Sequence, residues 1–399
     1  MTNLMNNIDL FDLHNAGLHP ASTFKYADLA NRLRVDIEQG RVNSRVEGDY
    51  ELFDYNSYGI FDAGWTETAL VARGLVLDHK RKRVAAYAFP KFFNYGEVTY
   101  TLPSTDFTAT EKLDGSLGIC YWFEGAEGGY WRVNTRGSFD SDQAKWATKW
   151  LAKHPEVTKN FFKGNTYLFE VIYPENKIVV PYDFSGLVLL GAYHRDGWEF
   201  ERYELEEVIE GTGLRLAEVH EFNSVEEMLE QAKELPFDKE GWVLSYPCGY
   251  KVKIKGDEYC RVHRLISNCT PLAVWNSYKS LDDFELLKKD LPEEFRVDLD
   301  NMVKIFNELF YKKLRGIQEW VEYTKAWADR DVGLASSNGE IPKSAAKWIF
   351  AARKTDFFAE IEVAGPLRDK FCLSFRPTNN HLEGYTPTSA MNRFESDAE

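Results

Sequence analysis

The first two-thirds of the chain is patterned in short apolar runs separated by turn residues, and the last third at helical spacing. Residues 69–78, 117–123, 130–135, 166–173, 186–194, 240–246 and 249–255 concentrate Val, Ile, Leu, Tyr, Phe and Trp between Gly, Asn and Asp, which predicts β-strands. Two amphipathic helices interrupt them. Residues 142–154 place Ala144, Ala147, Trp150 and Leu151 on one face. The capping-box string Ser224-Val225-Glu226-Glu227 opens the other, which ends near Leu235. Beyond residue 264 the apolar positions recur every three or four, predicting helices over 281–295, 298–330 and 342–364. Met302, Ile305, Phe306, Leu309 and Phe310 form the clearest stripe, and Pro292 and residues 333–339 are the breakers. The pattern therefore predicts an α+β body (1–263), a smaller all-helical C-terminal domain (264–376) and a polar tail (377–399).

A chain of 399 residues can bury a substantial core without staples. Its 15% aromatic content excludes a disordered chain. No apolar run reaches the roughly 18 residues of a membrane span, and residues 1–24 contain no signal-peptide core. Cys120, Cys248, Cys260, Cys269 and Cys372 are scattered and form no CxxC pair, which argues against a zinc site or a disulfide framework. These features together predict a reduced, cytoplasmic protein. The net charge of −15 argues against non-specific coating of DNA, but it leaves room for a local basic groove. Two basic clusters stand out: His79-Lys80-Arg81-Lys82-Arg83, which alone reads as a solvated hairpin turn, and Lys251, Lys253, Lys255, Arg261 and Arg264.

The sharpest chemical feature is Lys112-Leu113-Asp114-Gly115, a KxDG pattern entering an apolar strand. A lysine on such a turn can be a covalent nucleophile, and Gly115 permits close backbone approach. Alone, the pattern reads as a solvated turn. Next, Glu240-Gly241 opens one strand, and Lys251, Lys253 and Lys255 share a face of the following strand. Three like charges on one face repel, and a polyanion would relieve them. Glu170 interrupts an apolar run and needs a partner if it is buried. Arg73 starts a strand, and Lys91 lies beside aromatics in Phe89-Pro90-Lys91-Phe92-Phe93-Asn94. Each of these alone reads as a surface charge.

In order, KxDG, a glutamate strand, EGxV and KxK resemble the covalent nucleotidyltransferases. Lys-Phe-Phe-Asn at 91–94, Lys-x-Asp-Gly-Ser-Leu at 112–117 and Phe-Glu-x-x-x-Pro-x-Asn-x-Ile-Val from Phe169 are similar to the ATP-dependent RNA ligase 1 family of the phage T4 type. So is Val252-Lys253-Ile254-Lys255-Gly256-Asp257-Glu258-Tyr259, and the resemblance spans roughly residues 50–265. It implies a nucleotidyltransferase domain of antiparallel sheets with Lys112 as the adenylylated residue. It further implies Glu170 on the ribose hydroxyls, Glu240 on the catalytic metal, and Lys253 and Lys255 on the α-phosphate. Arg73 and Lys91 match positions holding the pyrophosphate side of ATP, and Tyr55 matches a nucleotide-contacting tyrosine. Arg136 stands where the family pattern has lysine, and a guanidinium fork is not equivalent to an ammonium. A metal-binding aspartate would fall at Asp282 or Asp283.

The activity so implied joins RNA 5′-phosphate and 3′-hydroxyl ends, with cleaved tRNA the substrate the family leads one to expect, through lysyl-AMP and RNA-adenylate, with ATP as substrate and Mg²⁺ or Mn²⁺ as cofactor. A separate kinase or phosphatase would prepare the ends. At pH 7 only about one lysine in 2,500 is neutral, and Lys253, Lys255 and a bound Mg²⁺ would push Lys112 toward neutrality. The helical domain would select RNA, using Lys312, Lys313, Arg315, Lys343 and Lys347 on phosphates. The alternatives are a DNA ligase or guanylyltransferase on the same body, and a non-catalytic RNA-end-binding protein.

Overall fold

The structure is a computed structural model that describes residues 17–97, 106–125, 128–176, 179–267, 269–291, 293–378 and 381–386. It divides into two compact units, Met1–Arg261 and Val262–Glu399. Most of the expected polar tail lies outside the described residues. The strands among those residues are β1 (Val42–Glu47), β2 (Tyr50–Tyr55), β3 (Arg73–Asp78), β4 (Arg83–Ala86), β5 (Phe93–Asn94), β6 (Thr108–Glu111), β7 (Ser116–Gly125), β8 (Gly128–Asn134), β9 (Thr166–Ile172), β10 (Gly186–Tyr193), β11 (Arg215–Leu216), β12 (Val219–His220), β13 (Gly241–Ser245) and β14 (Lys251–Lys255). The fold class is α+β, with mainly antiparallel sheets followed by a mostly helical stretch.

Three sheets build the first unit. Sheet one is the meander β1-β2-β3-β4, sheet two runs β11-β10-β9-β7-β8, and sheet three runs β12-β6-β13-β14-β5. All pairings are antiparallel except β10 with β11 and β14 with β5. Each sheet buries one face under a helix. Leu29 and Leu33 of Tyr26–Glu38 join Leu52, Leu75 and Leu77 in the core beside sheet one. Ala147 and Leu151 of Asp142–Lys153 join Val133, Phe169 and Leu187 of sheet two. Val225, Met228 and Ala232 of Val225–Glu234 cover Trp242, Leu244, Val252 and Ile254 of sheet three. β6 belongs to sheet three and β7 to sheet two, so residues 112–115 step from one sheet to the other.

Two expected elements are divided. Residues 69–71 are not strand but the end of a helix, Glu67–Val71, because Thr66 caps it by accepting from Ala69 N. The expected helix 281–295 is broken: Leu281 adopts a left-handed conformation, φ 61°, and Asp283 restarts the chain as the cap of Phe284–Asp290. The basic 79–83 segment is the turn from β3 to β4, but it is anchored rather than merely solvated. His79 pairs with the buried Glu51, and Arg81 with Asp78 and Glu124.

The second unit is centred on Glu293–Tyr323, whose Met302, Phe306 and Phe310 are fully buried, with Tyr278 of Pro271–Ser280 against both phenylalanines. Arg368 lies inside and donates to the carbonyls of Tyr278, Lys279 and Ile361. Lys313 is likewise engaged within the unit. Its ammonium donates to Phe371 O and Ser374 Oγ, both at 2.6 Å, and burial beside Lys347 pushes it down to about 8. No helix among the described residues is long and apolar enough to cross a membrane.

Candidate active site

Lys112 leaves the end of β6 with its backbone N–H donating to Gly241 O at 2.8 Å. The turn that follows admits no side chain at Gly115. A Cβ there would meet Val171 O at 2.7 Å and Glu170 Oε1 at 3.1 Å. Asp114 is buried and ties the turn down. Its Oδ2 accepts from Val179 N (2.7 Å) and Val180 N (2.8 Å), and its Oδ1 accepts from the Tyr259 hydroxyl at 2.9 Å. Tyr182 accepts from Asp114 N at 2.7 Å. Burial and Glu240 push the Asp114 carboxyl up, and the two backbone donors oppose them. The sequence reading gave Asp114, Tyr182 and Tyr259 no role. Their signal was weak: an aspartate inside KxDG, and a tyrosine four residues after the last lysine of KxK.

Glu240 precedes β13 and is buried; its Oε1 lies 2.7 Å from Lys112 Nζ and 2.9 Å from Lys255 Nζ. Gly241, at φ 136°, lets the strands close, since a Cβ would sit 2.1 Å from Ile254 O. On β14, Val252 and Ile254 enter the core while Lys251, Lys253 and Lys255 share the other face. The expected mutual repulsion of three lysines is largely relieved within the protein. Lys251 pairs with Glu199 at 2.6 Å, and Lys255 pairs with Glu240. Lys253 has no carboxylate partner among the described residues.

The electrostatics of these lysines diverge. Burial lowers Lys253 to about 7, and Lys91, Lys112, Lys255 and Arg73 add to the effect. Lys112 is surrounded by protein on most sides, yet 22% of its side chain remains exposed. Burial alone would lower it, but Glu240, Glu170 and Asp114 outweigh burial and hold its ammonium above the usual range. Protein groups therefore do not push Lys112 toward neutrality. Burial acts to raise Glu240, but Lys112 and Lys255 win and keep its carboxyl low. Glu170, on β9, is buried rather than facing water, and it acts electrostatically on both Arg73 and Lys112.

A cationic and aromatic wall adjoins this floor. Arg73 opens β3, reaches Phe89 O at 3.5 Å and lies 5.1 Å from the Phe92 ring centroid. Lys91 Nζ lies 5.7 Å from the Tyr55 ring and 5.0 Å from that of Phe93. Arg136 follows β8, donates to the Tyr55 hydroxyl at 3.2 Å and lies 3.1 Å from Asp54 Oδ1. Tyr55, Arg73, Lys91, Lys112, Arg136, Glu170, Glu240, Lys253 and Lys255 thus form one linked group drawn from all three sheets. Asp283 lies in the second unit, where its carboxylate caps Phe284–Asp290 by accepting from Glu285 N and Leu286 N.

Chemically, the group offers a nucleophile-capable amine, cations that fit a polyphosphate, and buried carboxylate oxygens. No cluster of three or more His, Cys, Asp or Glu among the described residues is placed to hold a metal. Glu240 offers a buried carboxylate of the kind that a hard divalent cation takes while keeping waters and bridging to phosphate.

Residues 71–259 match the family model described as RNA ligase. An RNA ligase of Rhodothermus phage RM378 is 24% identical over 353 residues, covering 68% of this chain and 79% of its own length. A putative RNA ligase of Thermovibrio ammonificans is 31% identical over 202 residues, covering 48% of this chain and 52% of its own. A solved archaeal ATP-dependent RNA ligase aligns over 79% of this chain and 83% of its own at 14% identity, with a TM-score of 0.40.

Proposed function

This chain belongs to the ATP-dependent RNA ligases of the covalent nucleotidyltransferase superfamily, and from that premise we propose that the cleft around Lys112 uses ATP to join RNA 5′-phosphate and 3′-hydroxyl ends. The observation that carries this reading is the placement of Lys112 against Glu240, at 2.7 Å, beside Lys253, which has no carboxylate partner among the described residues. Lys112 attacks the α-phosphorus of ATP, forming the N–P bond of lysyl-AMP, and pyrophosphate leaves. Lys112 must give up a proton before it attacks, and drawing the Glu240 carboxylate away from it at 2.7 Å would favour that loss to solvent. Lys253 and Lys255 would meet the charge that builds on the α-phosphate, and preplaced cations supply most of what phosphoryl transfer needs. Arg73, Lys91 and Arg136 hold the outer phosphates, and Glu170 reads the ribose. A Mg²⁺ or Mn²⁺ ion at Glu240 would neutralise phosphate charge and compete with Lys112 for the carboxylate.

AMP then passes to an RNA 5′-phosphate, and a 3′-hydroxyl displaces it to form the phosphodiester. Cleaved tRNA fits as the natural substrate, with its ends prepared by a separate kinase or phosphatase. The domain of residues 264–376 contributes to selecting the RNA. Labelled ATP followed by a denaturing gel tests the reading. A ligase gives an acid-labile protein–AMP band that chases onto 5′-phosphorylated RNA. A band formed only from GTP would indicate a guanylyltransferase, and no band with either nucleotide a binding protein.

A further inference from the structure

Asp54 and Tyr55, consecutive at the end of β2, grip the same guanidinium. Asp54 Oδ1 lies 3.1 Å from Arg136 Nε. The Tyr55 hydroxyl accepts from Nη1 at 3.2 Å, and its ring centroid lies 4.9 Å from Cζ. Arg136 Nη2 has no partner among the described residues, and 33% of the side chain is exposed. One edge of the fork is thus fixed and the other is open. Asp54 itself is poorly served: its side chain is 13% exposed, and Oδ1 lacks an aligned hydrogen-bond donor. Gly137 packs against it so closely that a Cβ there would meet Oδ2 at 3.2 Å. A buried carboxylate oxygen without an aligned donor costs stability. Fold stability alone therefore gives no reason to place one here, whereas orienting Arg136 does.

We propose that Asp54 is a positioning residue that aims the open edge of Arg136 at a terminal phosphate, either the outer phosphates of ATP or the 5′-phosphate of RNA. This rests on reading the cleft as the nucleotide site. The charged and titratable groups facing Asp54 are Arg136, Arg73, Arg45 and Tyr55. Burial raises Asp54 to about 6, with the three guanidiniums pulling it back. Above that pH the carboxylate anchors Nε; below it the carboxyl is neutral and the anchor weakens.

The test compares the full-length wild-type chain with Asp54→Asn, which resembles the protonated state in size and lack of charge. Protein–AMP formation is followed as kcat/KM for ATP across about pH 5 to 8, since that ratio reports the free enzyme's ionisations. Dividing one profile by the other cancels titration of ATP itself. At pH 8 the wild type should exceed Asp54→Asn by roughly 5-fold, and the ratio should fall toward one as pH drops through about 6. In an Arg136→Ala background the same substitution should change the rate by less than about 2-fold, because Asp54 acts through Arg136. If the difference appears only when preformed protein–AMP is chased onto 5′-phosphorylated RNA, the phosphate served is that of RNA. A ratio flat with pH in both assays, or a full Asp54→Asn effect without Arg136, overturns the proposal while leaving the ligase reading intact. Absence of any wild-type adduct overturns both.

Discussion

On the floor of the cleft, Lys112 and Lys255 share the Glu240 carboxylate at 2.7 and 2.9 Å. On the wall, Lys253 faces Lys91 and Arg73 with no carboxylate of its own among the described residues. Burial acts on both regions in the same direction, yet Lys112 is held above its ordinary range and Lys253 falls to about 7. The difference lies in counter-charge. The floor is internally neutralised and stores a charged, unreactive amine, while the wall is short of anions. On the proposed reading, a polyphosphate would complete the wall, and drawing Glu240 away from Lys112 would open the floor, which would make the two regions complementary parts of one binding event.

The largest break in this comparison is Lys112→Ala, which should abolish the protein–AMP adduct and the joining of unactivated ends. Sealing of pre-adenylylated RNA should persist in part, because the covalent task of the lysine is then complete. An adduct at full yield in this variant would place the nucleophile elsewhere.

Glu240→Gln comes next. It leaves Lys112 and Lys255 without their shared carboxylate and should slow adenylylation by at least ~10²-fold, as removal of one preorganised electrostatic group does. It should also lower the pKa of Lys112, so that an amine-selective reagent labels Lys112 faster than in the wild type at neutral pH. Slow adenylylation with unchanged labelling would mean that Glu240 serves the phosphates or metal and does not restrain Lys112.

Lys253→Met sharpens the wall. At pH 7.5 a lysine titrating at about 7 is mostly neutral. A bound polyphosphate favours its charged form, so binding ATP should draw a proton from solvent. Calorimetry in buffers of different ionisation enthalpy should show up to about one proton more taken up by the wild type than by Lys253→Met. Equal uptake would remove Lys253 from phosphate contact. By the same linkage, the unfolded chain binds the extra proton between about pH 7 and 10.5, so Lys253 costs the fold stability at low pH and that cost shrinks as pH rises across that window.

The change from strand to helix was legible because apolar period is local. β7, β9, β10 and β13 each bury nearly continuous apolar runs. Sheet one was harder to read: β1 is Val-Asn-Ser-Arg-Val-Glu, mostly exposed, and it gains its place only by pairing with β2. Distant pairings were the least legible. Asp114 is held by Tyr182 and Tyr259, 68 and 145 residues away, and Lys251 is neutralised by Glu199, 52 residues away. No local pattern records such partners, so the three lysines of β14 looked alike in sequence and differ in the fold.

The smallest expected effect concerns Asp283, which tests whether the chemistry stays within the first unit. Its carboxylate accepts from Glu285 N at 3.0 Å and Leu286 N at 3.3 Å, and so satisfies two amides that would otherwise lack partners at the start of Phe284–Asp290. Replacing such a cap by alanine costs about 1 kcal/mol. Asp283→Ala should therefore lower the stability of the helical unit by about that amount, read by denaturant unfolding. Asp283→Asn, which keeps an oxygen acceptor, should lose only a few tenths of a kcal/mol. If capping is its whole task, both variants should form protein–AMP within about 2-fold of the wild type at saturating metal. If Asp283 also binds the catalytic cation, the asparagine variant should fold normally yet need much more Mg²⁺ for half-maximal adenylylation. That outcome would give the Asp283 carboxylate a metal-binding task besides its capping one.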